Sequence, residues 1–326
     1  MMTTLRPCSR WCTPLIVLAI AAGMFIRPAD IAAETPLASA TNLPFTTVIA
    51  IQTRLDRMNL SCGCIDGKFG EKTRNAIEVW MNNPRLSRTN ATIQTAVTML
   101  GSEEGAFAEH IVTEEAITNL TPIPPKWADK ATMPTMGYET ILEAVAEHYH
   151  ASQAAIRDLN PDMSWPNPPA GSRLRVPNPF PAARVRAARL QISLTRKTIC
   201  VLDADGAIAA YFPCTIAAKA ENRPVGELKI TTLVEHPNYT FDPALFAEDA
   251  DARSMTTKAI LSPGPNNPVG TVWIGLDKAG YGIHGTPNPE DIGKAASHGC
   301  FRLANWNAEK LVAMIKIGMP VVITQD

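Results

Sequence analysis

The sequence predicts a multidomain protein whose C-terminal part is a mainly β domain, a sandwich or barrel with one late helix. From residue 187 onward, short alternating apolar stretches are separated by turn residues such as those at 203–206. Upstream, apolar residues at helical spacing predict an α-helical module and then a small α+β module. Proline-rich joints separate these parts, and the 27 prolines of the chain are a mild excess.

The composition is that of an ordinary globular protein. The 326 residues are 46% hydrophobic and 19% charged, and the formal net charge is -1. This charge balance favours neither a nucleic-acid partner nor attraction to an anionic membrane surface.

The N-terminus has the pattern of a signal peptide over residues 1–33. Arg6 and Arg10 precede an apolar run at 14–26, and small residues follow at 31–33. The run is shorter than the roughly 18–20 residues that a membrane span needs. We therefore expect export to the periplasm or cell wall with no integral membrane segment after cleavage; an uncleaved anchor is the alternative.

An exported chain meets oxidising conditions, under which cysteines can form disulfides. Without residues 1–33 an odd number remains, so at least one thiol is unpaired or pairs between chains. The five remaining cysteines are Cys62, Cys64, Cys200, Cys214 and Cys300. The sequence does not decide how the first four of them pair.

Residues 43–120 are predicted to form the helical module. Two helical patterns flank a tight turn at 66–70, where Gly67 can adopt a positive φ. The region resembles a peptidoglycan-binding helical module at Gln52, Leu55, Asp66, Gly67, Phe69, Gly70, Thr73, Ala76 and Trp80. A helical spacer without a ligand is the alternative.

Residues 121–135 have the composition of a linker, and residues 136–177 that of a compact α+β unit. The second unit resembles a LysM module, which binds N-acetylglucosamine chains. It does so at Leu142, Val145, Ala146, Tyr149, Ile156, Leu159, Asn160, Pro161, Gly171, Leu174 and Pro177. These are mostly core and turn positions, so a unit that only orients the next domain is the alternative.

In the C-terminal domain, 187–326, the segment 283–305 concentrates residues that can do chemistry. A thiol becomes a nucleophile when a base or a positive field assists it, and histidine is the natural partner. Cys300 has His298 two residues before it, and His284 ends a separate apolar strand. The spacing does not choose between the two histidines. A buried, inert cysteine and a zinc site are the alternatives.

Two neighbours of Cys300 suit acyl transfer. Gly299 leaves room for a substrate carbonyl, and the N–H groups of Gly299 and Cys300 could form an oxyanion hole. Arg302 could hold a substrate carboxylate through a bidentate contact.

Residues 187–323 resemble the L,D-transpeptidase catalytic domain (YkuD-type). The matching motifs are Arg223 to Gly226, Gly264-Pro265, Asn267-Pro268, Gly270, Tyr281 to Thr286, Ile292-Gly293, Ser297 to Leu303 and Asn305. The usual Thr-Pro before the first glycine is Pro224-Val225 here, a departure in a loop on the substrate side.

This resemblance implies a role for each residue. Cys300 would attack a peptidoglycan stem tetrapeptide and release D-alanine, with His284 as base oriented by the Gly285 carbonyl. His298 would line the site. Arg302 and Thr286 would lie on the substrate side. Ser297 and Asn305 would also lie there and would brace the loop. No metal or nucleotide cofactor is implied.

The implied product is a 3→3 cross-link between stem peptides, formed on glycan strands outside the cytoplasm. The same thioester would serve an L,D-carboxypeptidase, with water as the acceptor, or attach a lipoprotein lysine to the wall. The alternative from another functional class is a non-catalytic peptidoglycan-binding protein, which the two N-terminal modules would support.

Overall fold

The computed structural model describes residues 43–83, 92–182, 185–246, 249–294, 297 and 299–326. The predicted signal peptide lies outside these residues. Within the described ranges, no helix combines the length and the apolar character needed to cross a bilayer.

Three helices open the described chain, and their apolar faces pack together around Leu55, Ile77 and Trp80. Thr92 caps the third by accepting a hydrogen bond from the Thr95 N–H. The helices are α1 (Phe45–Arg57), α2 (Glu71–Asn82) and α3 (Ile93–Leu100).

The turn between α1 and α2 is held by one buried amide. Gln52 Nε2 donates to Asp66 Oδ1 at 2.8 Å and to Thr73 Oγ1 at 3.0 Å. Gln52 Oε1 accepts from the backbone N–H groups of Asp66 and Gly67, both at 2.9 Å. These motif residues form hydrogen bonds with one another inside the module, so their presence is explained by the stability of this turn.

The α+β unit begins earlier than the sequence indicated. Its elements are β1 (Phe107–Ile111), α4 (Glu114–Thr118), α5 (Trp127–Lys130), α6 (Ile141–His148), α7 (Gln153–Leu159) and β2 (Arg173–Pro177). Strand β1 pairs antiparallel with β2, Phe107 opposite Pro177. The first strand therefore lies inside the range 43–120 assigned to the helical module, not within 136–177. Its partner is distant in sequence, and local periodicity does not reveal such a pairing.

The segment 121–135 is packed against the C-terminal domain. The Trp127 ring stacks on Phe241 with centroids 4.1 Å apart, and its Nε1 donates to Asp249 Oδ2 at 2.9 Å. Just beyond the segment, the Met136 N–H donates to the Pro263 carbonyl at 2.9 Å. The segment has the composition of a linker, but it is packed against the C-terminal domain because the Trp127 side chain anchors it.

The C-terminal domain is mainly β, as predicted. Its elements are β3 (Arg189–Ser193), β4 (Thr198–Leu202), β5 (Ile208–Pro213), β6 (Gly226–Glu235), β7 (Tyr239–Phe241), α8 (Ala250–Ser254), β8 (Ala259–Leu261), β9 (Val272–Leu276), β10 (Gly282–His284), β11 (Phe301–Arg302), α9 (Asn305–Val312) and β12 (Pro320–Thr324). The predicted late helix is α9.

One curled sheet organises this domain. Its strand order is β11-β10-β9-β6-β12-β3-β4-β5. Just past β5, Thr215 exchanges backbone hydrogen bonds with Arg302 of β11, at 3.0 and 2.9 Å, so the two ends of the sheet meet. Ala308 and Leu311 of α9 fill the enclosed core. The curl brings β10 and β11 to the seam where the sheet closes.

The three parts pack directly on one another. The Ser61 N–H donates to the Tyr211 carbonyl at 2.8 Å, which joins the helical region to β5. The Ile65 N–H donates to the His150 carbonyl at 2.8 Å, which joins it to the α+β unit. The N-terminal parts therefore support the C-terminal domain rather than trailing from it.

Candidate active site

Strands β10 and β11 run parallel at the seam. Ile283 lies opposite Phe301, and His284 lies opposite Arg302. Ile283 and Phe301 are 0% and 1% exposed, so they face the core. Because neighbouring side chains alternate between faces, His284 and Arg302 lie on the opposite face. Cys300 directly precedes β11, two residues before Arg302.

His284 is held in one orientation and one tautomer. Its Nδ1 lies 2.7 Å from the Gly285 carbonyl oxygen. A carbonyl only accepts hydrogen bonds, so Nδ1 carries the hydrogen and Nε2 keeps its lone pair. The Trp273 ring stacks on the imidazole with centroids 5.7 Å apart. The histidine therefore presents a fixed proton acceptor.

Burial keeps both partners neutral near pH 7. It lowers the pKa of His284 to about 4, with the Gly285 hydrogen bond opposing and Arg302 reinforcing this shift. Burial raises the pKa of the Cys300 thiol, although a hydrogen bond from Gly282 and the charge of Arg302 work in the other direction.

Cys300 is one of two partly exposed cysteines among the described residues, the other being Cys200. Sγ of Cys300 lies 3.6 Å from the Gly280 carbonyl. Cys62, Cys64 and Cys214 are buried, and burial raises the pKa of each thiol. All five cysteines in the described ranges are free thiols.

The residues before Cys300 shape its backbone. Ser297 is 4% exposed, and its hydroxyl donates to the Cys300 carbonyl. Its N–H also donates to the Ile216 carbonyl at 3.0 Å. A Cβ added to Gly299 would meet only Tyr281, at 3.9 Å, so the space beside this glycine is open. His298 lies outside the described residues, and its role stays a prediction.

Arg302 borders a small cavity. The cavity has a volume of about 40 Å³. It is lined by Thr215, Thr286, Asn288, Asp291, Ile292 and Arg302. The charge of the guanidinium acts on both His284 and Cys300, since it lowers the pKa of each.

Asn305 ties the active-site loops together. It is 0% exposed, and its Oδ1 accepts from the N–H groups of Thr286 at 2.9 Å and Thr271 at 3.3 Å. Its Nδ2 donates to the Pro265 carbonyl at 3.1 Å and to Glu147 Oε1 at 2.9 Å. Both polar atoms are committed inside the protein, so Asn305 braces the loops.

Two glycines make this packing possible. A Cβ at Gly270 or Gly285 would lie 1.9 or 2.1 Å from Asn305 Oδ1. Glu147, the remaining partner of Asn305, was missed by the sequence reasoning. In the sequence it is one of two glutamates on helix α6, and its spacing does not set it apart from Glu143.

Comparison with known proteins places this geometry in a family. Residues 187–323 match the family model of the L,D-transpeptidase catalytic domain, YkuD. The chain is 27% identical over 186 residues to a Bacillus licheniformis protein provisionally named L,D-transpeptidase YkuD, covering 56% of this chain and 93% of that one. It is 36% identical over 108 residues to the Bacillus subtilis protein provisionally named L,D-transpeptidase YqjB, covering 32% and 52%.

Solved L,D-transpeptidases are more distant. L,D-transpeptidase 3 from Mycobacterium tuberculosis is 17% identical, with a TM-score of 0.33 over 52% of this chain and 84% of that one. The sequence matches carry the assignment: residues 187–323 are a YkuD-type L,D-transpeptidase catalytic domain.

Proposed function

We propose that this protein is an exported L,D-transpeptidase that forms 3→3 cross-links in peptidoglycan through an acyl-enzyme on Cys300. One observation supports this most. His284 Nδ1 is bound to the Gly285 carbonyl, so Nε2 is left to take a proton, and His284 lies opposite Arg302, two residues after Cys300. That is the arrangement of a nucleophile, a base and an orienting group.

In the first step, Sγ of Cys300 attacks the carbonyl carbon of the third stem residue. The thiol proton moves to Nε2 of His284, and the carbonyl oxygen becomes an oxyanion. The N–H groups of Gly299 and Cys300 stabilise that oxyanion. The C–N bond then breaks, His284 returns its proton to the leaving D-alanine amine, and a thioester remains.

In the second step, the amine of another stem peptide attacks the thioester carbon. His284 takes a proton from that amine, the C–S bond breaks, and the thiol is regenerated when His284 returns the proton to sulfur. Arg302 binds a substrate carboxylate during these steps, since a guanidinium pairs with carboxylate through two hydrogen bonds. The thioester conserves the energy of the broken peptide bond, so no metal or nucleotide is needed.

The N-terminal parts are proposed to bring the enzyme to the wall. The match to the Bacillus licheniformis protein spans 186 residues, whereas the segment 187–323 holds 137, so the likeness extends beyond the catalytic domain. Helices α6 and α7 pack beside the paired strands β1 and β2, with α4 and α5 inserted after β1, and this pair of helices and strands supports a LysM-like unit that contacts glycan. Co-sedimentation of Cys300→Ala protein with insoluble peptidoglycan tests this, and protein left in the supernatant would count against it.

Product analysis separates the possible acceptors. Purified protein is incubated with disaccharide-tetrapeptide, and the products are identified by mass spectrometry. Cross-linked dimers that lack one D-alanine are expected; tripeptide alone would show carboxypeptidase action with water, and unchanged substrate would leave a binding protein.

A matched pair of variants assigns the nucleophile. Cys300→Ala should abolish the reaction because no acyl-enzyme can form. Cys200→Ala removes the other partly exposed cysteine and should leave the reaction unchanged. Turnover by Cys300→Ala would refute the assignment.

A further inference from the structure

A carboxylate of the α+β unit reaches into the active-site framework of the catalytic domain. Glu147 lies on α6, and its Oε1 accepts from Asn305 Nδ2 at 2.9 Å. The same oxygen accepts from the Tyr138 hydroxyl at 3.3 Å. The contact between Glu147 and Asn305 joins positions 158 residues apart, so it exists only once the two parts have docked.

From Asn305 the contacts continue to the base. Asn305 Oδ1 accepts from the Thr286 N–H at 2.9 Å, and the neighbouring Gly285 carbonyl accepts from His284 Nδ1 at 2.7 Å. The amide of Asn305 can satisfy Thr286 only if its oxygen points that way, and the Glu147 carboxylate at 2.9 Å holds Nδ2 in this orientation together with the Pro265 carbonyl at 3.1 Å. Four residues thus connect the α+β unit to the imidazole.

The charge of Glu147 argues against a purely structural role. The side chain is largely buried, and both of its donors are neutral groups. Glu143 and Glu309 also lie close enough to repel it. A buried carboxylate in these surroundings costs stability, and an apolar side chain of similar size would avoid that cost.

We propose that Glu147 is a positioning residue for catalysis, which fixes the Asn305 amide and through it the loop and tautomer of His284. This inference rests on the proposed function, in which His284 is the base. It makes the α+β unit part of the catalytic framework, in addition to any contact with glycan.

The first test reads the His284 ring directly. Long-range ¹H–¹⁵N spectra distinguish the two imidazole tautomers, and His284→Ala identifies the signals. Wild type and Glu147→Gln should show a single form protonated at Nδ1, since a glutamine oxygen can still accept from Asn305. Glu147→Ala should show mixed or broadened signals; an unchanged single form would overturn the proposal.

The second test is turnover of disaccharide-tetrapeptide. Glu147→Ala should lower kcat by about 10- to 100-fold with little change in KM, because a misplaced base affects the chemical step. Glu147→Gln should recover most of the loss. The matched control is Glu143→Ala, one turn earlier on α6, whose carboxylate binds Asn266 at 2.6 Å instead of Asn305; it should turn over like wild type.

The two tests fail separately. If wild type does not process the tetrapeptide, the proposed function is wrong, and the tautomer spectra still decide the role of Glu147. If wild type is active and Glu147→Ala matches it in both kcat and spectra, Glu147 does not position the base.

Discussion

Two buried carboxylates, Asp56 and Glu147, join the N-terminal parts to the catalytic domain in opposite ways. Asp56 lies in α1, and its Oδ2 accepts from Lys310 Nζ at 2.6 Å and from His150 Nδ1 at 2.8 Å. Glu147 lies in α6 and accepts hydrogen bonds from the neutral groups of Asn305 and Tyr138. In the part of the chain that the structure describes, a cation therefore binds Asp56, whereas the hydrogen-bond donors to Glu147 are uncharged.

The difference shows in how each group titrates. Burial by itself would raise the pKa of Asp56, but Lys310 and His150 outweigh it and hold that pKa well below its usual range. Burial raises the pKa of Glu147 to about 7, which the hydrogen bonds from Asn305 and Tyr138 only partly oppose. Asp56 is therefore a permanent anion that locks three parts together, whereas Glu147 changes charge near neutrality.

The comparison separates two roles of a buried carboxylate between modules, which are to hold the modules together and to support catalysis. A carboxylate that is compensated by a cation serves assembly, and its removal should cost stability first. An uncompensated carboxylate beside the active site costs stability, and its removal should affect catalysis first.

The largest effect on stability is expected for Asp56→Ala. It leaves the Lys310 ammonium buried without its partner, with 12% of that side chain exposed, and should lower the free energy of unfolding by about 3–5 kcal/mol. Urea unfolding at pH 7 measures it, with the exposed Asp162→Ala as control. A loss no larger than that of the control would break the comparison.

Glu147→Gln should raise the free energy of unfolding at high pH, whereas Asp56→Ala lowers it. A folded pKa of about 7 against an unfolded value of about 4.3 means that the native state binds the extra proton between these values, so wild-type stability falls as pH rises. This contribution amounts to about 2–3 kcal/mol between pH 5 and pH 8. Unfolding of wild type and Glu147→Gln at both pH values measures it. A variant advantage that did not grow with pH would contradict the assignment.

The smallest effect is expected at an exposed pair. Arg173 binds Glu109 with two hydrogen bonds, at 2.6 and 3.0 Å, but the side chains are 66% and 50% exposed. Arg173→Ala should change the free energy of unfolding far less than Asp56→Ala does, because water screens the pair. The same unfolding assay applies. A loss as large as that of Asp56→Ala would show that burial does not decide the value of these carboxylates.

The sequence predicted the parts of the molecule whose signals are local. Alternating residues predicted the mainly β domain, and the motif from Ile283 to Asn305 located the candidate site. The hydrogen bond between His284 and Gly285, which the family resemblance implied, is present at 2.7 Å. The reactive roles of Cys300 and His284 stay predictions until turnover is measured.

The features that the sequence did not predict depend on contacts between distant residues. Trp127 looks like a residue in a linker until Phe241 is found beneath it. Glu147 looks like an ordinary solvent-facing acid of an amphipathic helix until α6 docks and Asn305 meets it. Periodicity reports which face of an element is buried, but it does not report which partner covers that face.

Trapping the acyl-enzyme tests the account most directly. Wild-type protein is mixed with disaccharide-tetrapeptide, quenched in acid within seconds, digested, and mapped by mass spectrometry. We predict a thioester to the substrate minus D-alanine on the peptide that contains Cys300, and no such adduct in Cys300→Ala. Product formation with the adduct on another residue, or with Cys300→Ala fully active, would contradict the account.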